Sequence, residues 1–292
     1  MLENKVCFNK RVGLILFFVV ATELIGFGLI IPILPQIALM VDSNPFWLGI
    51  LLSAYSFSQF FATPILGSLS DKYGRKTLLL WSKFGTVISY IILAFSNSIP
   101  LFLCARLLDG FTGGNFSVAR AYVADVTTEE QRPKGMAIIG MAFGTGFILG
   151  PAIGGFLYSA GQSHFIPSLV AGSFSLMALI ITFIYLEEPD HKSNANSSLS
   201  FLREIGSVFK IQPIRWLCLV HLGYMIIFSA FETTFSVFTF QLFGLNLSEN
   251  SWLFFYVGIL GLLFQGFLAR RSFANLRAVV VIGFVFFSLG LH

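Results

Sequence analysis

GSLSDKYGRK, residues 67–76, joins two apolar runs, FSQFFATPIL (57–66) and TLLLWS (77–82). One Asp, two Lys, one Arg and two Gly fall within this short connection. A simple polar turn needs less charge than this. Either the charge orients the chain across a membrane, or it builds something at the membrane edge.

The composition selects the membrane. A soluble domain carries about 25% charged residues. This chain carries 11%, with 56% hydrophobic residues over 292 positions. Such a sequence cannot cover a water-facing surface. The apolar runs do not alternate, which excludes barrel strands and leaves an all-α integral membrane protein. Three widely spaced cysteines (Cys7, Cys104, Cys218) make an odd number and no disulfide framework. His164, His191, His221 and His292 show no metal-ligand spacing, so no metal or cofactor is expected. No nucleophile elbow, phosphate-binding glycine loop or paired carboxylates point to an enzyme.

A bilayer core of about 30 Å takes about 20 helical residues. Nine segments qualify: 12–35, 46–70, 78–98, 100–121, 136–159, 165–186, 214–241, 251–269 and 278–292. The first follows a basic start and continues to Leu34 with no small-residue cleavage site, so it reads as an uncleaved span. Lys5, Lys10 and Arg11 precede it. Lys72, Arg75, Lys76 and Lys83 are assigned to the connection between spans 2 and 3. Arg120, Arg132 and Lys134 fall between spans 4 and 5. Lys192, Arg203, Lys210 and Arg215 fall between spans 6 and 7, and Arg270, Arg271 and Arg277 between spans 8 and 9. That accounts for all but one of the 18 Lys and Arg; Arg106 lies inside span 4. The alternation predicts a multi-pass protein with a cytoplasmic N-terminus. Trp47, Trp81, Trp216 and Trp252 lie near span ends, as interfacial aromatics do. The net charge of +4 is therefore topological, and no nucleic-acid partner is expected.

The longest connection, Glu187–Pro213, contains EEPDHKSNANSSLS, a polar Ser- and Asn-rich linker, followed by FLREIGSVFK, an amphipathic surface segment. It divides residues 1–186, a six-helix bundle, from residues 214–292. GFLARRSFAN (266–275) weakly repeats GSLSDKYGRK after span 8, with Gly266 and Leu268 matching Gly67 and Leu69 and Arg270 in place of the acid.

Four stretches resemble the major facilitator superfamily, in its drug:proton antiporter branch of the tetracycline-efflux kind. GSLSDKYGRK is similar to the family's signature loop, Gly-x-Leu-x-Asp-x-x-Gly-Arg-Lys. RLLDGFTGG (106–114) resembles the helix-4 motif Arg-x-x-x-Gly, with Asp109 where the family has an uncharged residue. GTGFILGPAIGG (144–155) resembles the antiporter motif of helix 5, and ELIGFGLIIPILP (23–35) the helix-1 signature with its membrane acid. FSAFETTF (228–235) is similar to a helix-7 segment. The resemblance implies twelve helices in two halves. The chain ends within the ninth and is expected to be C-terminally incomplete.

Glu23 sits about 16 Å into span 1, near the bilayer midplane. An ionised acid there costs about 2.5–3.5 kcal/mol on insertion scales. It is either a proton carrier or cation site, or an acid satisfied by an Arg or hydroxyls on a neighbouring helix. Glu232 on span 7 is the equivalent candidate in the second half. His221, in the same span, is read as a packing residue. Arg106 and Asp109 share a helix face. They either form a local ion pair or tune a buried acid such as Glu23. In span 5, Gly146, Gly150, Pro151, Gly154 and Gly155 form a small-residue ridge with a bend. The resemblance implies that this face seals the cavity in one state.

In the opening loop, Lys72, Arg75 and Lys76 are explained by topology. Gly67 suits close packing, and Gly74 a turn at positive φ. Asp71 and Arg75 can pair, and Asp125 can join them. The resemblance implies a cytoplasmic gate built from these residues. The expected protein is a monomeric, proton-coupled efflux antiporter in a bacterial inner membrane, exporting small amphipathic molecules. An uptake symporter and a non-transporting fragment remain the alternatives.

Overall fold

The computed structural model describes residues 10–34, 37, 45–161, 163–189, 211–245, 249–253 and 255–260. The ordered elements are α1 (Lys10–Ile30) with a 3-10 turn (Ile31–Ile33), α2 (Pro45–Tyr73), α3 (Arg75–Ala94), α4 (Ile99–Thr112), α5 (Asn115–Val126), α6 (Arg132–Gly161), α7 (Phe165–Tyr185) and α8 (Gln212–Phe243). Among the described residues, six helical stretches are long and apolar enough to cross a membrane. Large hydrophobic side chains on their outer faces are exposed, among them Phe60, Trp81, Phe183 and Trp216. That inversion of the soluble pattern is what lipid requires.

The expected fourth span is not one helix. It breaks at Gly113–Gly114 into α4 and α5. Thr112 Oγ1 bonds back to the Leu108 carbonyl at 2.9 Å, and Ser82 on α3 donates to the Thr112 carbonyl. The carbonyl is satisfied from another helix, so the chain can leave the ladder here. Where the turn passes α2, the backbones are very close: a methyl at Gly114 would lie 3.2 Å from Thr63 Cα.

α1 is the axis of the bundle. It packs along α6 and α7, while α3 packs against α7 and α4, and α2 against α4. The α1–α6 seam is made of glycine. A Cβ at Gly150 would lie 2.7 Å from Gly28 Cα, and one at Gly146 would lie 3.0 Å from the Ala21 carbonyl oxygen. Gly154 meets the Leu29 backbone in the same way, and Gly28 faces Pro151. Without a water-driven hydrophobic effect between spans, such close backbone contact is a main source of helix association.

Three expectations change. Gly67 makes no close approach: a methyl there would meet only Ser117 Oγ, at 3.9 Å. His221 is exposed on α8 rather than packed in a core, because α8 presents most of its surface outward. Lys83, assigned to a loop, is fully buried. Residues 190–210 of the linker, GFLARRSFAN and the ninth span lie outside the described residues.

Candidate functional site

Two charged clusters flank the α2–α3 hairpin. The first surrounds the loop GSLSDKYGRK. Gly74 has φ +98°, a conformation that favours glycine, and it turns the chain directly from α2 into α3. The exposed N-terminal amides of α3 then need acceptors. Glu188, just past α7, provides them: its carboxylate accepts from the Arg75 amide, from Lys76 N at 3.0 Å and from Thr77 N at 3.4 Å. A negative charge at a helix N-terminus is also favoured by the helix dipole. The Arg75 guanidinium is buried and divides its donors among Asp71, Asp125 Oδ2 at 2.8 Å, and Ser70 Oγ. The Tyr122 hydroxyl donates to the Glu187 carbonyl at 2.6 Å and anchors the end of α7 beside α5. Four helix ends are thus tied to one short loop.

The second cluster lies deep in the bundle. Glu23 on α1 pairs with Lys83 Nζ on α3 at 2.7 Å; Glu23 is 5% exposed and Lys83 0%. Asn115 Nδ2 donates to the same carboxylate oxygen at 2.9 Å. On α4, Arg106 Nη1 pairs with Asp109 Oδ2 at 3.0 Å, both residues 1% exposed. The guanidinium carbon lies 4.8 Å from the centroid of the Tyr55 ring on α2. Gln59 Nε2 donates to the Tyr55 hydroxyl and to the Gly113 carbonyl.

Gly113 brings the end of α4 against Glu23. A Cβ there would lie 3.2 Å from Glu23 Oε1, 3.0 Å from the Asp109 carbonyl oxygen and 2.7 Å from the Tyr55 hydroxyl. Only a glycine lets α4 come this close. Among the described residues, Arg106 Nε, Asp109 Oδ1, Asn115 Oδ1 and the Tyr90 hydroxyl are buried with no hydrogen-bond partner.

The structure therefore brings Arg106 to Asp109, and Lys83 rather than Arg106 to Glu23. Lys83 is the residue that loop counting misassigned. It lies about two turns into α3, within the segment 78–98 already read as a span, and depth alone should have removed it from the loop. Asn115 and Glu188 were also missed. Asn115 follows the Gly-Gly break, and Glu188 precedes a proline at the end of α7, but neither has a neighbour in sequence to betray its partner. Glu232 lies on α8, and its side chain is outside the described set. An apolar groove of about 570 Å³ between α3 and α7, lined by Trp81, Phe84 and Phe183, contains none of the charged residues.

Comparison with known proteins supplies the family. The profile described as Major Facilitator Superfamily matches residues 16–292. The chain belongs to the major facilitator superfamily. The class B tetracycline resistance protein of Escherichia coli is 33% identical over 276 residues, which cover 90% of this chain and 67% of that protein. Major facilitator superfamily domain-containing protein 10 of Mus musculus is 29% identical over 324 residues, covering 94% and 70%. The crystal structure of the human organic anion transporter MFSD10 superposes with a TM-score of 0.68 at 28% identity, over 86% of this chain and 70% of that one. This facilitator-family chain is accordingly a multi-pass membrane protein with a transporter fold, and not an enzyme.

Proposed function

We propose that this chain belongs to a proton-coupled antiporter that exports small amphipathic molecules by alternating access. The observation that carries the proposal is Glu23, an acid at mid-span, buried, bonded to α3 and α5 through Lys83 and Asn115, and approached closely by the end of α4 at Gly113. Intramembrane acids are expensive and mark ion pathways. An acid whose charge is balanced by a movable amine can gain or lose a proton at moderate cost. The tetracycline resistance and organic anion transporter names of its relatives support small organic molecules as cargo.

The cluster bears on the reading of Glu23 as a cation site. Glu23 and Asp109 are each neutralised within the protein, so this half of the site offers no net negative charge to a cation. The cytoplasmic cluster around Arg75 fits a gate that breaks when the protein opens inward, because charge networks between helix ends form two-state contacts. The glycine seam between α1 and α6 fits a tight closure. Residues 1–186 act as one half, Glu187–Pro213 as the linker and residues 214–292 as part of the second half. The N-terminus is cytoplasmic, the membrane a bacterial inner membrane, and the unit a monomer.

Everted membrane vesicles carrying the full-length gene product test this. Tetracycline and a fluorescent organic anion serve as probes. Export predicts accumulation inside the vesicles that collapses when a protonophore is added. Accumulation that ignores the proton gradient removes proton coupling, and uptake only in right-side-out vesicles favours the symporter.

A further inference from the structure

Lys83 Nζ lies 2.7 Å from Glu23 Oε2 and 3.3 Å from Thr22 Oγ1. An ammonium carries three donors, so the described contacts use two. Asp109 spends Oδ2 on Arg106, and its Oδ1 is buried without a partner. Asn115 spends Nδ2 on Glu23, and its Oδ1 is likewise buried without a partner. Gly113, at the end of the helix that carries Asp109, lies against Glu23 Oε1. The titratable and charged groups around Glu23 are Lys83 and Tyr90 on α3, Arg106 and Asp109 on α4, and Tyr55 on α2. From the other helices packed on α1, α6 carries Arg132 and Lys134 at its start and Tyr158 near its end, α7 carries only Tyr185 at its end, and α5 carries Arg120, Tyr122 and Asp125 beyond its first turn.

With all four central charges ionised, the cluster is neutral. A proton on Glu23 leaves two cations facing one anion. A buried ammonium does not stay unpaired in a membrane interior. The two orphan acceptors are the groups such a state needs. Asp109 Oδ1 can receive Lys83. Asn115 Oδ1, presented by a turn of its amide, can receive the new O–H of Glu23.

We propose that Lys83 is an internal counter-ion that changes partner, holding Glu23 while that acid is ionised and passing to Asp109 when Glu23 takes up a proton. The proton comes from water reaching the site, adds to a Glu23 carboxylate oxygen and leaves from the same group; no other covalent bond changes. The α1–α3 tie is thereby exchanged for an α3–α4 tie. This inference rests on the proton-coupled reading and adds the residue that converts protonation into movement.

Magic-angle-spinning NMR of the full-length protein in lipid tests it, with lysine 15Nζ and carboxylate 13C labels and Lys83→Arg for assignment. At alkaline pH, Lys83 Nζ correlates with Glu23 Cδ. At acid pH, and in Glu23→Gln at any pH, that cross-peak disappears and one to Asp109 Cγ replaces it. A Glu23 cross-peak that persists through the titration, or a Glu23→Gln spectrum lacking the Asp109 contact, overturns the assignment. Lys83→Met supplies a second measurement: gradient-driven tetracycline accumulation falls at least tenfold in vesicles matched for the amount of inserted protein. A wild type indifferent to the pH gradient defeats the coupled reading itself. A coupled wild type alongside a fully coupled Lys83→Met defeats Lys83 alone. If Lys83→Met does not fold, Glu23→Gln with Lys83→Met restores neutrality; it must recover insertion and remain uncoupled, and coupling in that pair also overturns the assignment.

Discussion

The loop cluster and the buried cluster use the same chemistry to opposite ends. At the membrane edge, Arg75 meets Asp71, Asp125 and Ser70, while Glu188 caps three amides of α3. The contacts are many, the partners are mixed, and Asp71 is 39% exposed in its side chain. In the interior the matching is one to one, Glu23 with Lys83 and Arg106 with Asp109, and all four side chains are buried. A network open to water can lose a member and rehydrate. A closed pair cannot rehydrate; its members can only exchange one protein partner for another. The first arrangement suits a contact made and broken in each cycle; the second suits a site where one proton matters.

Removing one charge separates the two most sharply. Arg106→Met strands the Asp109 carboxylate and should cost about 3–5 kcal/mol. Adding Asp109→Asn should recover most of it, as read by thermal unfolding in detergent. A loss unchanged in the double variant would show that Arg106 stabilises through its Tyr55 contact instead. Next is Gly74→Ala, which forces a side chain into positive φ against the Glu188 carboxylate and should cost about 1–2 kcal/mol. Glu188→Gln keeps the shape but removes the cap's charge. About 0.5–2 kcal/mol is expected, with a turnover change larger than any change in probe affinity. The smallest stability effect belongs to Asp71→Asn, about 0–1 kcal/mol, because its pair is partly solvated. Its turnover should still fall more than its affinity, and the wild-type and variant rates should converge as salt rises, since screening acts on the exposed pair and spares the buried ones. An unchanged rate in Asp71→Asn would remove the loop from gating.

Much of the fold was legible because lipid imposes a simple code. Long apolar runs must be helices, and loop cations report orientation. Gly74 was readable because a tight turn between two helices demands positive φ. The Arg106–Asp109 pair was readable because both residues lie on one helix face, so their spacing is local. The Glu23–Lys83 pair was not. Its members are 60 positions apart, and a hydropathy window sees neither depth nor partner. Lys83 was absorbed into the loop count because a topological explanation for any lysine near a span end is always available. The break between α4 and α5 escaped for a related reason. Gly-Gly within an apolar run bends a helix only when another helix satisfies the freed carbonyl, and Ser82 does so from α3.

The distance between Glu23 and Lys83 along the chain also bears on how the protein is made. α1 leaves the ribosome first and enters the bilayer with an acid that has no counter-charge. α3 follows with a lysine in the same difficulty. Each is expensive by about 2.5–3.5 kcal/mol on insertion scales, and the two costs cancel only when the helices meet. Each helix is apolar enough to enter the bilayer, and each carries one charge whose cost is relieved only when the other packs beside it. A ribosome-stalling series should find α1 pulled more strongly into the bilayer in Glu23→Leu than in wild type.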